Sequence, residues 1–175
     1  MLKTLALIVI AVIIVALLYA ATRPDTFRVE RSIRINAAPD KIAPLVYDFH
    51  QWEKWSPWEK IDPALTRTYS GAASGKGAIY AWVGNKDVGQ GRMEVVEAAS
   101  PAKVLIKLDF LAPFEAHNLV EFTLVPEGNA TVVTQAMYGP SPFVSKVMGL
   151  VFSMDKMVGG KYEEGLANLR ALAEK

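Results

Sequence analysis

From Leu5 to Ala21 every residue is apolar or tyrosine, and Leu, Ile, Val and Ala dominate. At about 1.5 Å per residue this stretch, completed at its edges by Thr4 and Thr22, approaches the roughly 30 Å of a bilayer's hydrocarbon core. The expectation is a transmembrane anchor over residues 1–23 that meets the membrane through residues 4–22, a single-pass arrangement of the signal-anchor type. A cleaved secretory signal fits less well. Lys3 supplies a basic start, but about 17 apolar residues exceed the roughly 7 to 15 of a usual signal core. A cut after Ala20 would set Leu18, and a cut after Ala21 would set Tyr19, where a small residue is needed. A buried core helix is the remaining alternative. Lys3 lies on one flank while Arg23, Arg28, Arg31 and Arg34 follow on the other. A count of flanking charge favours a cytoplasmic domain, yet exported anchored proteins also begin with a short basic segment, so the side of the soluble domain stays open.

The rest of the 175 residues suits one domain with one core. With 19 Lys+Arg against 18 Asp+Glu, the chain has no basic excess to neutralise a phosphate backbone, so nucleic acid is not expected as a partner. The absence of cysteine excludes disulfides, thiolate metal ligands and a cysteine nucleophile.

After Arg23-Pro24-Asp25, Phe27, Val29, Arg31, Ile33 and Ile35 alternate with Arg28, Glu30, Ser32 and Arg34. That is a strand with Arg31 as the misfit on its apolar face. Pro39 opens a short helix to about Asp48, with Ile42, Leu45, Val46 and Phe49 at helical spacing. Trp52, Trp55 and Trp58 follow, and Pro57 stops any continuing helix. Period-two runs then predict six strands: 66–70, 78–83, 91–98, 103–110, 116–125 and 130–138. Short Gly- or Pro-containing turns separate them, so they form an antiparallel meander. Beyond Pro142, Phe143, Val147, Leu150, Val151, Met154, Met157 and Val158 give way to Tyr162, Leu166, Leu169 and Leu172 at three-to-four spacing. The spacing predicts one amphipathic helix of about 25 to 35 residues, with a bend at Gly159-Gly160. The fold class is α+β: a curved antiparallel sheet of about seven strands wrapped round a long C-terminal helix, an arrangement that tends to leave an apolar cavity between the two.

Several segments carry a family likeness. They are Ile35-Asn36-Ala37-Ala38-Pro39, Trp52-Glu53-Lys54-Trp55-Ser56-Pro57-Trp58, Tyr80-Ala81-Trp82 with Gly84-Asn85, and Met154 to Gly160 leading to Glu164-Gly165-Leu166-Ala167-Asn168-Leu169. Over residues 27–175 the chain resembles the superfamily of START, polyketide cyclase and birch-pollen-allergen-type proteins, and within it the bacterial polyketide cyclase/dehydrase-like branch. The resemblance implies a helix-grip fold whose cavity holds a hydrophobic or amphiphilic small molecule, lipid-like or aromatic. The candidate lining is Trp52, Trp55, Tyr80, Trp82, Phe110, Phe122, Met137, Phe152 and Met154, and each of these also suits plain core packing. Tyr80 and Trp82 stand out because each carries one polar atom that needs a partner if buried. Gln135 shares a face with Val133 and Met137, where an amide could orient a ligand.

Catalytic signatures are sparse. The two histidines, His50 and His117, lie far apart and form no metal-ligand spacing, no nucleophile elbow is present, and the glycines of 71–77 lack a phosphate loop's lysine-serine ending. No metal and no cofactor are expected. The leading expectation is therefore a membrane-tethered binding module. The alternative is a cyclase- or hydratase-type enzyme, which would need a buried ionisable group in the cavity, such as His117, Asp109 or Glu121. A partner-binding membrane protein without a small ligand would instead combine a collapsed interior with an exposed apolar patch.

Overall fold

The computed structural model describes residues 2–175. Helix α1 (Leu2–Ala21) is long and apolar enough to cross a membrane, and among its residues only Ala20 is buried by the rest of the chain. Strand β1 (Thr26–Ile35) follows, then α2 (Pro39–Tyr47), a tight turn and the single-turn α3 (Trp52–Trp55). The meander comprises β2 (Thr66–Gly71), β3 (Ala78–Val83), β4 (Gln90–Ser100), β5 (Lys103–Ala112), β6 (Ala116–Glu127) and β7 (Ala130–Pro140). The chain closes with α4 (Phe143–Met148) and α5 (Gly160–Ala173). All seven strands form one antiparallel sheet in the order β1-β7-β6-β5-β4-β3-β2.

The alternation in sequence decides which face of this sheet is inside. Val104 and Ile106 of β5, Phe122 and Leu124 of β6, and Val133 of β7 are fully buried on the concave face. Tyr162, Leu166, Leu169 and Ala173 of α5, spaced by three and four, fill it from the other side. Gly165 permits close approach there, because a Cβ at that position would stand 3.1 Å from the Pro57 ring. Indole N–H groups of Trp52 and Trp55 donate to the carbonyls of Val46 and Leu45, both at 2.8 Å, and tie the tryptophan segment beneath α2.

The C-terminal helix departs from the expected single rod. After α4 the chain turns through residues 149–153, then resumes as one wide π turn (Asp155–Gly159) that runs into the 14-residue α5. Arg31 accounts for the wide turn. Its guanidinium lies where a side chain on Gly159 would be, and it donates to both carboxylate oxygens of Asp155 (2.8 and 3.0 Å) and to Glu163 (2.6 Å). The cation that breaks the apolar face of β1 thus holds the helix start, and the expected bend at the glycine pair takes the form of a π bulge. Phe143, Val151, Met154 and Met157, expected to cover the sheet, are instead exposed; the covering face begins at Val158.

Candidate functional site

The concave interior is lined by a chain of aromatic rings. Phe49, Trp52 and Trp55 touch in sequence with centroids 5.5 and 4.9 Å apart, and both tryptophans meet Phe122 edge-on at 6.3 and 6.2 Å. Phe49 also meets Tyr80 at 5.9 Å; Tyr80 stacks on Trp82 at 6.0 Å, and Trp82 meets Phe110 edge-on at 5.9 Å. Of the sequence-predicted lining, Trp52, Trp55, Tyr80, Phe122, Gln135 and Met137 are buried together here, while Trp82 and Phe110 are half-buried at one end. Phe152 (59% exposed) and Met154 (44% exposed) lie outside this core, in the segment between α4 and α5.

Polar atoms in the interior divide into satisfied and unsatisfied ones. The Tyr80 hydroxyl donates to Glu59 at 2.7 Å, and Arg67 Nε donates to the other oxygen of the same carboxylate at 2.7 Å. Burial, together with the bond to Glu59, pushes the Tyr80 pKa well above the ordinary tyrosine value; burial and Glu53 bring Tyr69 up to about 12. The Trp82 indole donates to the Val88 carbonyl at 3.1 Å. Gln135 differs. It stands between Arg31 and Phe122 in the sheet register, is 5% exposed, and its Oε1 has no hydrogen-bond partner among the described residues. Its side chain does hydrogen-bond Tyr162 of α5, whose pKa burial raises.

Glu59, Arg67 and Tyr162 were not singled out by sequence. Arg67 shares the alternation phase of Tyr69, which marks an inward cation in need of an acid. Glu59 sits in an irregular turn, where no period assigns a face.

The residues weighed for catalysis lie elsewhere. Asp109 and His117 are cross-strand neighbours on the outward face, joined at 2.7 Å, with Lys107 at 3.0 Å from Asp109 and Glu115 at 3.2 Å from His117. Burial works to raise the Asp109 pKa, but the bonds from His117 and Lys107 prevail and hold it low; Asp109 in turn raises that of His117. Glu121, also outward, stands 3.6 Å from Lys103 and 3.9 Å from Arg28. A shallow hollow of about 290 Å³ opens beside this group, lined by Val96, Lys107, His117, Asn118, Leu119, Tyr138, Gly139 and Pro140.

The family described as polyketide cyclase / dehydrase and lipid transport matches residues 26–174, from the start of β1 to the residue before the last. The chain belongs to that family. No curated protein matches it. Among solved structures, a crystal structure from Chromobacterium violaceum is 14% identical, covering 87% of this chain and 99% of its own, with a TM-score of 0.59. A hypothetical protein from Helicobacter pylori is 12% identical over 84% of this chain and 88% of its own, at a TM-score of 0.63. The di-domain ARO/CYC StfQ from the steffimycin biosynthetic pathway is 13% identical over 85% of this chain, which spans 51% of StfQ, at a TM-score of 0.62. At these identities the likeness is one of fold: the helix-grip architecture, with the sheet curved round α5.

Proposed function

We propose that this family member is a membrane-tethered binding module: α1 anchors it, and a hydrophobic or amphiphilic small molecule is held between sheet and α5. The observation that carries this reading is Gln135. An amide oxygen that is buried without a donor costs about 1–3 kcal/mol, a cost that native interiors rarely carry without a purpose. A largely apolar molecule with one hydroxyl or N–H group would satisfy Oε1 while its body lies against the neighbouring side chains of Phe122 and Met137. Met93 and Met137 are the side chains best able to make room, since unbranched thioethers repack at low cost. The family's description, which includes lipid transport, agrees with such a ligand.

Binding is better supported than turnover. His117, Asp109 and Glu121 face away from the interior, and the inward acid, Glu59, already accepts from Tyr80 and Arg67. The test is native mass spectrometry of the full chain in lipid nanodiscs, with bound small molecules released by denaturation and identified. A near-stoichiometric amphiphile bearing a hydrogen-bond donor, diminished in Gln135→Leu, is expected. A protein that carries nothing, and whose melting temperature is unmoved by added lipids or aromatic compounds, would overturn the reading.

A further inference from the structure

The sheet register puts most of the exposed apolar surface at one end of the domain. β1 begins beside the anchor, and Thr26 pairs with Pro140 at the end of β7. Because every neighbour is antiparallel, the β5–β6 hairpin, closed by the pair Phe110 and Ala116, and the β3–β4 hairpin, closed by Val83 and Gln90, lie at that same end. Leu111 and Phe114 project from the β5–β6 tip, Phe114 at 74% exposure. From α4 onward, Phe143, Val144, Met148, Val151, Phe152 and Met157 are exposed as well, Val151 at 79%. Outside α1 and among the described residues, Val125 is the one large apolar side chain exposed at the opposite end. Large apolar side chains exposed together at one end of a domain mark an interaction site.

The junction with α1 indicates what covers it. Residues 22–25 alone separate α1 from β1, a reach of at most about 14 Å. They are held in place as well: Asp25 pairs with Lys146 of α4, the Asp25 carbonyl accepts from the Ser141 N–H at 2.6 Å, Ala20 is fully buried, and α1 contacts α4. With α1 across a bilayer, α4, which α1 contacts, lies at the bilayer surface, and the β5–β6 tip is at the same end of the sheet; an apolar face at such a surface sinks about 5–10 Å into the interface.

We infer that this end of the domain is a lipid-contacting surface, with α4, the segment to Met157 and the β5–β6 tip seated in the interface of the bilayer that α1 crosses. The inference rests on the tether reading above and deepens it. The half-buried Trp82 and Phe110 lie at the same end, so a ligand that enters between them would come from the bilayer rather than from water.

The absence of native cysteine makes the test direct. Full-length Val12→Cys, Phe114→Cys, Phe152→Cys and Val125→Cys are each labelled with a fluorophore and reconstituted in bilayers containing brominated lipid. Labels at 114 and 152 should be quenched by lipid about as strongly as the label at 12, several-fold more than the label at 125, and should be shielded from aqueous iodide. Iodide quenching at 114 and 152 overturns the inference. So does shielding without lipid quenching, which would mean that a second copy or another protein covers the surface. If 12 is lipid-quenched and 152 is not, the seating alone fails; if 12 is not quenched, the tether reading fails with it.

Discussion

Replacing Gln135 and Tyr162 singly and together tests whether the buried amide is a liability tolerated for binding. Gln135 is 5% and Tyr162 4% exposed, and the Gln135 amide N–H donates to the Tyr162 hydroxyl oxygen while Gln135 Oε1 has no partner. Tyr162→Phe removes that bond and leaves the amide unpaired at both ends, for an expected loss of about 1–2 kcal/mol. Gln135→Leu removes the orphaned oxygen but strands the tyrosine hydroxyl; two effects of about 1–3 kcal/mol each oppose one another and the variant stays near wild type. The double variant sheds both polar groups. It should match wild type or exceed it by up to about 2 kcal/mol, a rise in melting temperature of up to roughly 6 °C for a domain of this size. The coupling between the sites is then about 2 kcal/mol. Urea unfolding of the ligand-stripped full chain in detergent, followed by tryptophan fluorescence, measures all four corners of the cycle. A double variant less stable than wild type by more than about 1 kcal/mol would refute the reasoning, since it would mean that the amide stabilises the fold.

A Cβ on Gly91 would press into the Trp82 ring and stand 2.6 Å from the Asp109 carbonyl oxygen; Gly91→Ala should therefore lower stability by about 1–3 kcal/mol and alter Trp82 emission, and an unchanged urea midpoint would contradict the packing described. His117 should titrate above its ordinary value of 6.5 in NMR spectra and fall back in Asp109→Asn. Since the His117 pKa is raised, its contribution is full below about 6.5 and is lost as pH climbs through the raised value; that of Asp109, with its pKa lowered, is full above about 3.8 and is lost as pH falls through the lowered one. The pair thus stabilises most between those two ordinary values, and a stability profile that rises from pH 6 to 8 through these residues would contradict it.

What the sequence alone determined is whatever rests on local periodicity. A run of apolar residues from Leu5 to Ala21 has few options but a helix, and the six strands of the meander follow from period-two alternation broken by turn residues. The same alternation sets Val104 and Ile106 on one face of their strand and Phe122 and Leu124 on one face of theirs, the faces that are buried. Only the tertiary structure decided what depends on partners distant in the chain. The stretch from Phe143 to Val158 repeats at helical spacing, so periodicity extends the C-terminal helix through it. Yet Arg31, more than a hundred residues earlier, demands the space beside Gly159 and two carboxylates around it, and the helix forms as two pieces with the apolar residues between them left outside. The unpaired oxygen of Gln135 and the closed Tyr80–Glu59–Arg67 set are likewise properties of three-dimensional neighbourhoods. Hydrophobic pattern is written along one strand or helix at a time, whereas the satisfaction of a buried polar atom depends on residues that only the fold brings within 3 Å of it.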